Sequence, residues 1–309
     1  MVMMKSLCAV AAATALVACV QQDEPPAGIA RAIPTADQVK IKLPVTSERT
    51  VGQLAEFYVA TRGVTLTFNG SAAWVLVLIH SIVQLPVTSV NGNVYTWGPG
   101  SDPLDPADYK LDVTDVGDGT YLWALSGRSK TQSNAQFETV IDGVADSRAG
   151  ELQGNGSFRI DFDAGRRINP IDSGDARGKV DVSYDLAARH LELDIDSTDD
   201  QGRPVSAHYE YNETANRDGD MTFTVDADAG GTTAVLEELT LRSRWLATGE
   251  GRGDARITGG DCGTTTVVAS ECWDNRFGRV FYTDSVNFAP TEGNAAQCAF
   301  ANQDLPPAN

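Results

Sequence analysis

The sequence predicts an α+β protein, mostly antiparallel β: a long curved sheet or half-barrel of about a dozen strands with an N-terminal helical hairpin packed on its apolar face. Three observations predict it. From residue 90 onward apolar and polar residues alternate with period two. Turn signals interrupt that alternation at short intervals. Residues 72–86, "AAWVLVLIHSIVQLP", form an unbroken apolar run in a chain whose formal charge is −18.

The N-terminus supplies the first element. Lys5 precedes an apolar stretch, Leu7 to Val17, of signal-peptide length. It ends in Leu16-Val17-Ala18-Cys19, which resembles the lipobox of bacterial lipoproteins. The resemblance implies a signal peptide over residues 1–18 and a mature chain that starts at a lipidated Cys19. Several buried acyl chains, at ~0.8 kcal/mol per methylene, hold a protein on a bilayer more firmly than one chain can. Val20 stands where an inner-membrane retention signal has aspartate, so the resemblance points to an outer-membrane lipid anchor, on a face the sequence does not specify. Residues 19–46, with "QQDEPPAGIARAIPTADQ", are polar and rich in small residues and proline, and read as a flexible tether. A single β-rich domain is expected over 47–305, with its helical segment at about 50–85.

The helical segment comes next. Leu54, Phe57, Tyr58, Thr61, Val64 and Phe68 recur at helical spacing, although Val64, Leu66 and Phe68 also alternate like a strand; helix is favoured. Asn69-Gly70 then reads as the corner of a helical hairpin, with Ser71 as N-cap and Pro86 as stop for the second helix. Some fourteen residues make ~21 Å of helix against a hydrocarbon core of ~30 Å, so this run need not span anything. Trp74, Leu76, Leu78, Ile79 and Ile82 would line the core or one wall of an apolar pocket.

The strands follow. Phe158, Ile160 and Phe162 alternate with charged neighbours, as do Val180, Val182 and Tyr184, then Leu191, Leu193 and Ile195. Ala207, Tyr209 and Tyr211, and Met221, Phe223 and Val225, continue the theme. One face is buried and the other wet. Asn91-Gly92, Gly117-Asp118-Gly119, Asp199 to Gly202, Asp218-Gly219-Asp220 and Gly230-Gly231 mark the turns. One-sided strands need a cover, and the apolar helix is the candidate. A curved sheet holding helices resembles, in architecture alone, the half-barrel of periplasmic lipoprotein carriers, and fold does not dictate function.

Three cysteines remain beyond Cys19: Cys262, Cys272 and Cys298. A straight strand between Cys262 and Cys272 would hold them ~30 Å apart, whereas bridged cysteines need Cα atoms within about 7 Å. That pair is disfavoured, and Cys272 to Cys298, which would pin the C-terminal tail to a strand, is the expected disulfide, with Cys262 a free thiol. If Gly249-Glu250-Gly251 turns a hairpin, Arg242, Arg244, Arg252 and Arg256 share one face while Leu239, Leu241, Trp245, Ala255 and Ile257 face the core. Four guanidinium groups could clamp an anion or an acidic partner. The plainer reading is cross-strand pairing with Glu238, Asp254 and neighbouring strands.

"LRSRWLATGEGRGDARITGGDC", "SECWDNRFGRVFYTDS" and "TEGNAAQCAF", together with the helical region "GQLAEFYVATRGVTLTFNGSAAWVLVLIHSIVQLPVTSV", resemble a family of uncharacterised outer-membrane lipoproteins from myxobacteria. The family implies location and domain extent, and no activity. The residues offer no catalytic motif: there is neither Gly-x-Ser-x-Gly nor a helical Ser-x-x-Lys. His80 lies in the apolar helix, and His190 and His208 lack the cysteines or third imidazole that a metal would want. "DIDSTDDQG" misses the glycine and glutamate of a calcium loop. No cofactor and no metal are expected. Loss of Lys5 with the signal takes the charge from −18 to −19, which repels nucleic acid. The expectation is a non-catalytic envelope lipoprotein that binds or scaffolds a partner at the outer membrane. The alternative is a carrier or binder of a lipid or other hydrophobic ligand in the concave face, which requires an unfilled apolar cavity.

Overall fold

The computed structural model describes residues 52–308 apart from 102, 151–152, 172–175, 200 and 229–234, together with 28, 35, 37 and 39–45. The signal peptide, Cys19, nearly all of the tether and Gly230-Gly231 lie outside the described residues. Helix α1 (Glu56–Val83) precedes every strand. The first six strands are β1 (Ser89–Asn91), β2 (Val94–Gly100), β3 (Ala107–Gly117), β4 (Thr120–Ser129), β5 (Glu138–Asp146) and β6 (Asn155–Asp161). A short helix α2 (Phe162–Ile168) leads to β7 (Lys179–Asp185), β8 (His190–Thr198), β9 (Pro204–Glu213) and β10 (Gly219–Ala227). Then come β11 (Glu237–Trp245), β12 (Gly251–Gly259), β13 (Val267–Trp273), β14 (Arg279–Asp284) and β15 (Glu292–Gly293).

All fifteen strands form one antiparallel meander in sequence order, and the sheet does not close. Its edges, β1 and β15, are three and two residues long, too short to template pairing with another chain. They are also too short to show periodicity, which is why about a dozen strands were legible rather than fifteen.

The alternation is observed as expected through the centre. Phe158, Val182, Tyr184, Leu191, Leu193, Tyr209, Tyr211 and Met221 are buried on the face that carries α1. On the other face charges pair across strands, as in Arg159 with Asp181 at 2.7 Å. Two local expectations need correction. Phe162 does not extend β6: Asp161 accepts a hydrogen bond from the Ala164 amide at 2.8 Å and caps α2. Asp218-Gly219 is not itself the turn, which runs from Thr214 to Asp218 and leaves Gly219 in β10. A Cβ at Gly219 would stand 2.2 Å from the Trp245 ring, so this glycine is needed as the bed for an indole.

The helical segment is a single 28-residue helix, where a hairpin cornered at Asn69-Gly70 was expected. Asn69 does not turn the chain because its amide is committed elsewhere: it accepts from the Ile41 amide and donates to the Ile41 carbonyl, both at 2.9 Å. Ser71 falls inside the helix, while Pro86 does follow its end, with the Leu85 amide donating to the Ile82 carbonyl at 3.0 Å. Among the described residues, no helix is long and apolar enough to cross a membrane.

Both ends of α1 are fixed to opposite ends of the sheet. At the N-terminus no side chain of the helix's own caps it. Instead the fully buried Glu271 of β13 accepts from the Phe57 amide at 2.5 Å and pairs with Arg279. Gly253 of β12 lets the helix settle there, since a Cβ would meet Phe57 at 2.8 Å. At the other end Trp97 of β2 donates its indole N–H to the Leu85 carbonyl at 2.8 Å. A 28-residue helix is ~42 Å long, whereas the eleven strand intervals from β13 to β2 would measure ~53 Å if flat. The sheet must therefore curl around the helix and bow away from its middle.

Candidate functional site: the hollow concave face

Packing between the helix and the sheet is incomplete. A cavity of about 700 Å³ lies beneath the C-terminal end of α1. Ile82, Leu85, Trp97, Tyr109, Leu111, Leu125, Val140, Ile141, Ile160 and Phe162 form its walls. A second apolar cavity of about 350 Å³ lies between α1 and β6–β10, walled by Val64, Phe68, Val180, Leu193, Ile195, Tyr209, Phe223 and Val225 among others. Ile160 and Phe162 line both, so the two chambers meet at the junction of β6 with α2. Phe68 stacks on Tyr209, ring centroids 5.7 Å apart, and closes the second chamber against the helix.

Polar side chains also line the larger chamber, and they are engaged. Asp105 accepts from the Ala107 amide at 2.9 Å and from the Asn169 side chain at 3.2 Å. Lys110 meets Asp112 at 2.6 Å. Asp161 caps α2 and sits 3.2 Å from Lys179; burial raises its carboxyl pKa, but the Ala164 amide and Lys179 outweigh that and hold it below the usual value. Ser101 donates to Asp108 at 3.0 Å. Ser101 with Asp108 is a hydroxyl–carboxylate contact at the larger chamber, the described lining of neither chamber holds a histidine or cysteine, and the chemistry on offer is mainly apolar burial.

Of the apolar residues expected at this site, Ile79 is fully buried in the core and Ile82 lines the larger chamber. Trp74, Leu76 and Leu78 belong to α1, but their side chains, like that of His80, lie outside the described residues. The sequence reading missed Glu271, Trp97 and α2. The Asp161 cap, with Asp163 in the first turn and Arg166 and Arg167 in the last, was the available signal for α2.

Cys272 and Cys298 are bonded, Cα atoms 5.4 Å apart, and Cys262 is unpaired. The bridge starts a strap, residues 299–308, laid over the outer face of β11–β13, and this strap accounts for the arginine hairpin. Arg252 donates to the Phe300 and Ala301 carbonyls at 3.3 Å and to Asp254 at 2.8 Å. Arg244 donates to the Asn302 carbonyl at 2.8 Å, and its guanidinium lies over the Phe300 ring. Arg256 bonds the Pro306 and Pro307 carbonyls and Glu238. Arg242 is shared by Asp220 at 2.7 Å and Asp304 at 2.9 Å. The four arginines do share a face, as expected, but Arg252 and Arg256 are buried, and the chain's own tail occupies the patch, although Nε of Arg244 and of Arg256 is buried without a hydrogen-bond partner.

On the outer face, His208 of β9 lies 2.8 Å from Asp194 and 3.8 Å from Glu192, both on β8. His190 approaches the same Glu192 at 4.0 Å and bonds Asn212 at 2.8 Å. The two histidines thus share a carboxylate that the sequence reading did not place between them. The ligand atoms of Glu192, Asp194 and His208 lie within 4.8 Å of one another.

No family model, curated protein or solved structure matches this chain.

Proposed function

We propose that this protein is a non-catalytic lipoprotein of the cell envelope, anchored to the outer membrane through Cys19, whose body binds a lipid or another hydrophobic ligand in the curved, half-barrel face of its sheet. The observation that carries the ligand is the 700 Å³ apolar chamber beneath α1. It falls within the size range of small-molecule sites, and apolar side chains dominate its lining. An apolar cavity of this kind holds water poorly, and an engineered one several times smaller takes up benzene. The lipobox-like Leu16-Val17-Ala18-Cys19 supports the anchor, and the likeness to myxobacterial lipoproteins supports the outer membrane. Scaffolding through the arginine hairpin is the weaker reading, since the tail already occupies that surface.

The test is binding of a fluorescent fatty acid to the purified chain and to Val140→Trp, which adds an indole to the wall of the larger chamber. Uptake by the parent and at least tenfold weaker uptake by the variant, with unchanged circular dichroism, is the expected result. Absence of uptake by the parent sinks the ligand reading.

A further inference from the structure

At the other ends of strands that wall the smaller apolar chamber lies a pocket whose lining carries several charges. It measures about 290 Å³ and is bounded by the β7–β8 turn, the β9–β10 turn and the segment around Ile41. Tyr184, Leu191 and Tyr211 form part of its wall. Its charged residues are Lys40, Lys42, Arg189 and Arg217, against Asp185 and Glu213, with His190 beside them. Cations outnumber carboxylates two to one here, in a chain that holds 24 basic and 42 acidic residues.

Each cation is held in place by a feature of the fold. Val39 and Ile41 are buried in the core, and Asn69 brackets both backbone groups of Ile41. Period-two alternation then leaves Lys40 and Lys42 on the pocket side. Arg189 and Arg217 occupy the left-handed region, with φ of 54° and 71°. They are two of five non-glycine residues so placed among the described residues, and such backbone costs energy that a local structure must repay. The Arg217 amide donates to the Thr214 carbonyl at 3.0 Å, and the Arg189 guanidinium donates to the same carbonyl at 2.6 Å, so the two turns are tied together.

The carboxylates are largely spent. Asp185 closes its own turn by accepting from the Ala188 amide at 2.9 Å. Glu213 lies 3.5 Å from Arg189 and accepts from the Tyr211 hydroxyl at 3.4 Å. Lys42 and Arg217 make no ion pair among the described residues, and Lys40 reaches only the exposed Asp37, at 3.8 Å. Lys42 and Arg217, the two cations of the lining without an ion pair among the described residues, raise the positive potential of this concavity. The Arg217 guanidinium fork and the Lys42 ammonium suit phosphate oxygens, with the partly engaged Arg189 and Lys40 beside them. The volume exceeds that of inorganic phosphate alone and leaves room for a short organic substituent against the tyrosines.

We propose that this pocket binds the phosphate group of a small organic phosphoester. The ester has two possible sources, the headgroup of a phospholipid or a free metabolite. The inference does not depend on the apolar chambers holding a ligand, because it uses the opposite ends of the strands.

The test is calorimetric titration of the full chain in neutral detergent with sn-glycerol 3-phosphate, dihexanoyl phosphatidic acid and inorganic phosphate. Binding of either ester that weakens at least tenfold in Lys42→Gln/Arg217→Gln, and not in the outer-face control Arg159→Gln, supports the proposal. Tighter binding of the phosphatidic acid identifies a lipid source, and equal binding of the two esters identifies a free one. Arg217→Gly guards against misfolding as an explanation: it relieves the left-handed strain, so it should match or exceed the parent's melting temperature while losing affinity. The proposal is overturned if neither ester binds at low salt, if Lys42→Gln/Arg217→Gln binds as the parent does, or if Arg217→Gly is stable with full affinity.

Discussion

Replacing Glu271 by alanine tests how the helix is held over the sheet. The carboxylate is fully buried and has two tasks: it accepts from the first-turn amide of Phe57 and it pairs with Arg279. Truncation leaves that amide without its partner and the poorly exposed guanidinium with only Glu56 and Glu292, at 3.4 and 3.5 Å. Breaking a buried pair from one side costs about 3–5 kcal/mol, and for a domain this size that lowers Tm by on the order of 10 °C. Glu271→Gln keeps an acceptor for the amide while removing the charge, so it should fall between the parent and the alanine variant. Urea unfolding followed by tryptophan fluorescence reads both, since Trp273 adjoins the site and packs near Tyr58 of the helix. A loss below about 1 kcal/mol for Glu271→Ala, the range of an exposed ion pair, would refute the claim that this carboxylate anchors α1.

Two further outcomes follow from the same geometry. Cys298→Ser opens a bridge of sequence separation 26, and a loop of that length is expected to lose about 3.5 kcal/mol in the chain-entropy model; a denaturation midpoint equal to that of the oxidised parent would contradict it. Acid should loosen the molecule as well. The Ala289 and Phe288 amides hold Asp284 below its usual pKa, and the Arg203 amide does the same for Asp199. A depressed folded pKa gives stability that is present above the unfolded value of ~3.9 and lost as pH falls through the folded one. The urea midpoint should therefore drop between about pH 5 and pH 2, less steeply in Asp284→Asn; an equally steep drop in that variant would be the contrary result.

What was legible in the sequence was whatever depends on near neighbours. Leu191, Leu193, Tyr209 and Tyr211 show their face by alternation alone, and one face per strand is enough to deduce an antiparallel sheet that needs a cover. The cysteine pairing came out as expected, with Cys272 of β13 bonded to Cys298 at the start of the tail, although the strand begins only at Val267 and leaves Cys262 in a turn. What failed depends on partners far along the chain. Asn69-Gly70 carries the local signature of a corner, but Asn69 is recruited by Ile41, 28 residues earlier. Gly219 looks like a turn residue and serves as a seat for Trp245. The arginine hairpin looked open because its partners are backbone carbonyls of residues 300–307, which no charge pattern reveals. The cavities were posed only as a condition, since they arise from the difference between the helix's length and the sheet's arc.

The most direct test of the central claim is native mass spectrometry of the full chain purified from a bacterial envelope, repeated after organic extraction. The account predicts a noncovalent adduct of defined lipid mass, distinct from any covalent anchor on Cys19, that extraction removes and Val140→Trp diminishes. A chain free of noncovalent adduct under native conditions, with none recovered when lipid is supplied, would contradict it.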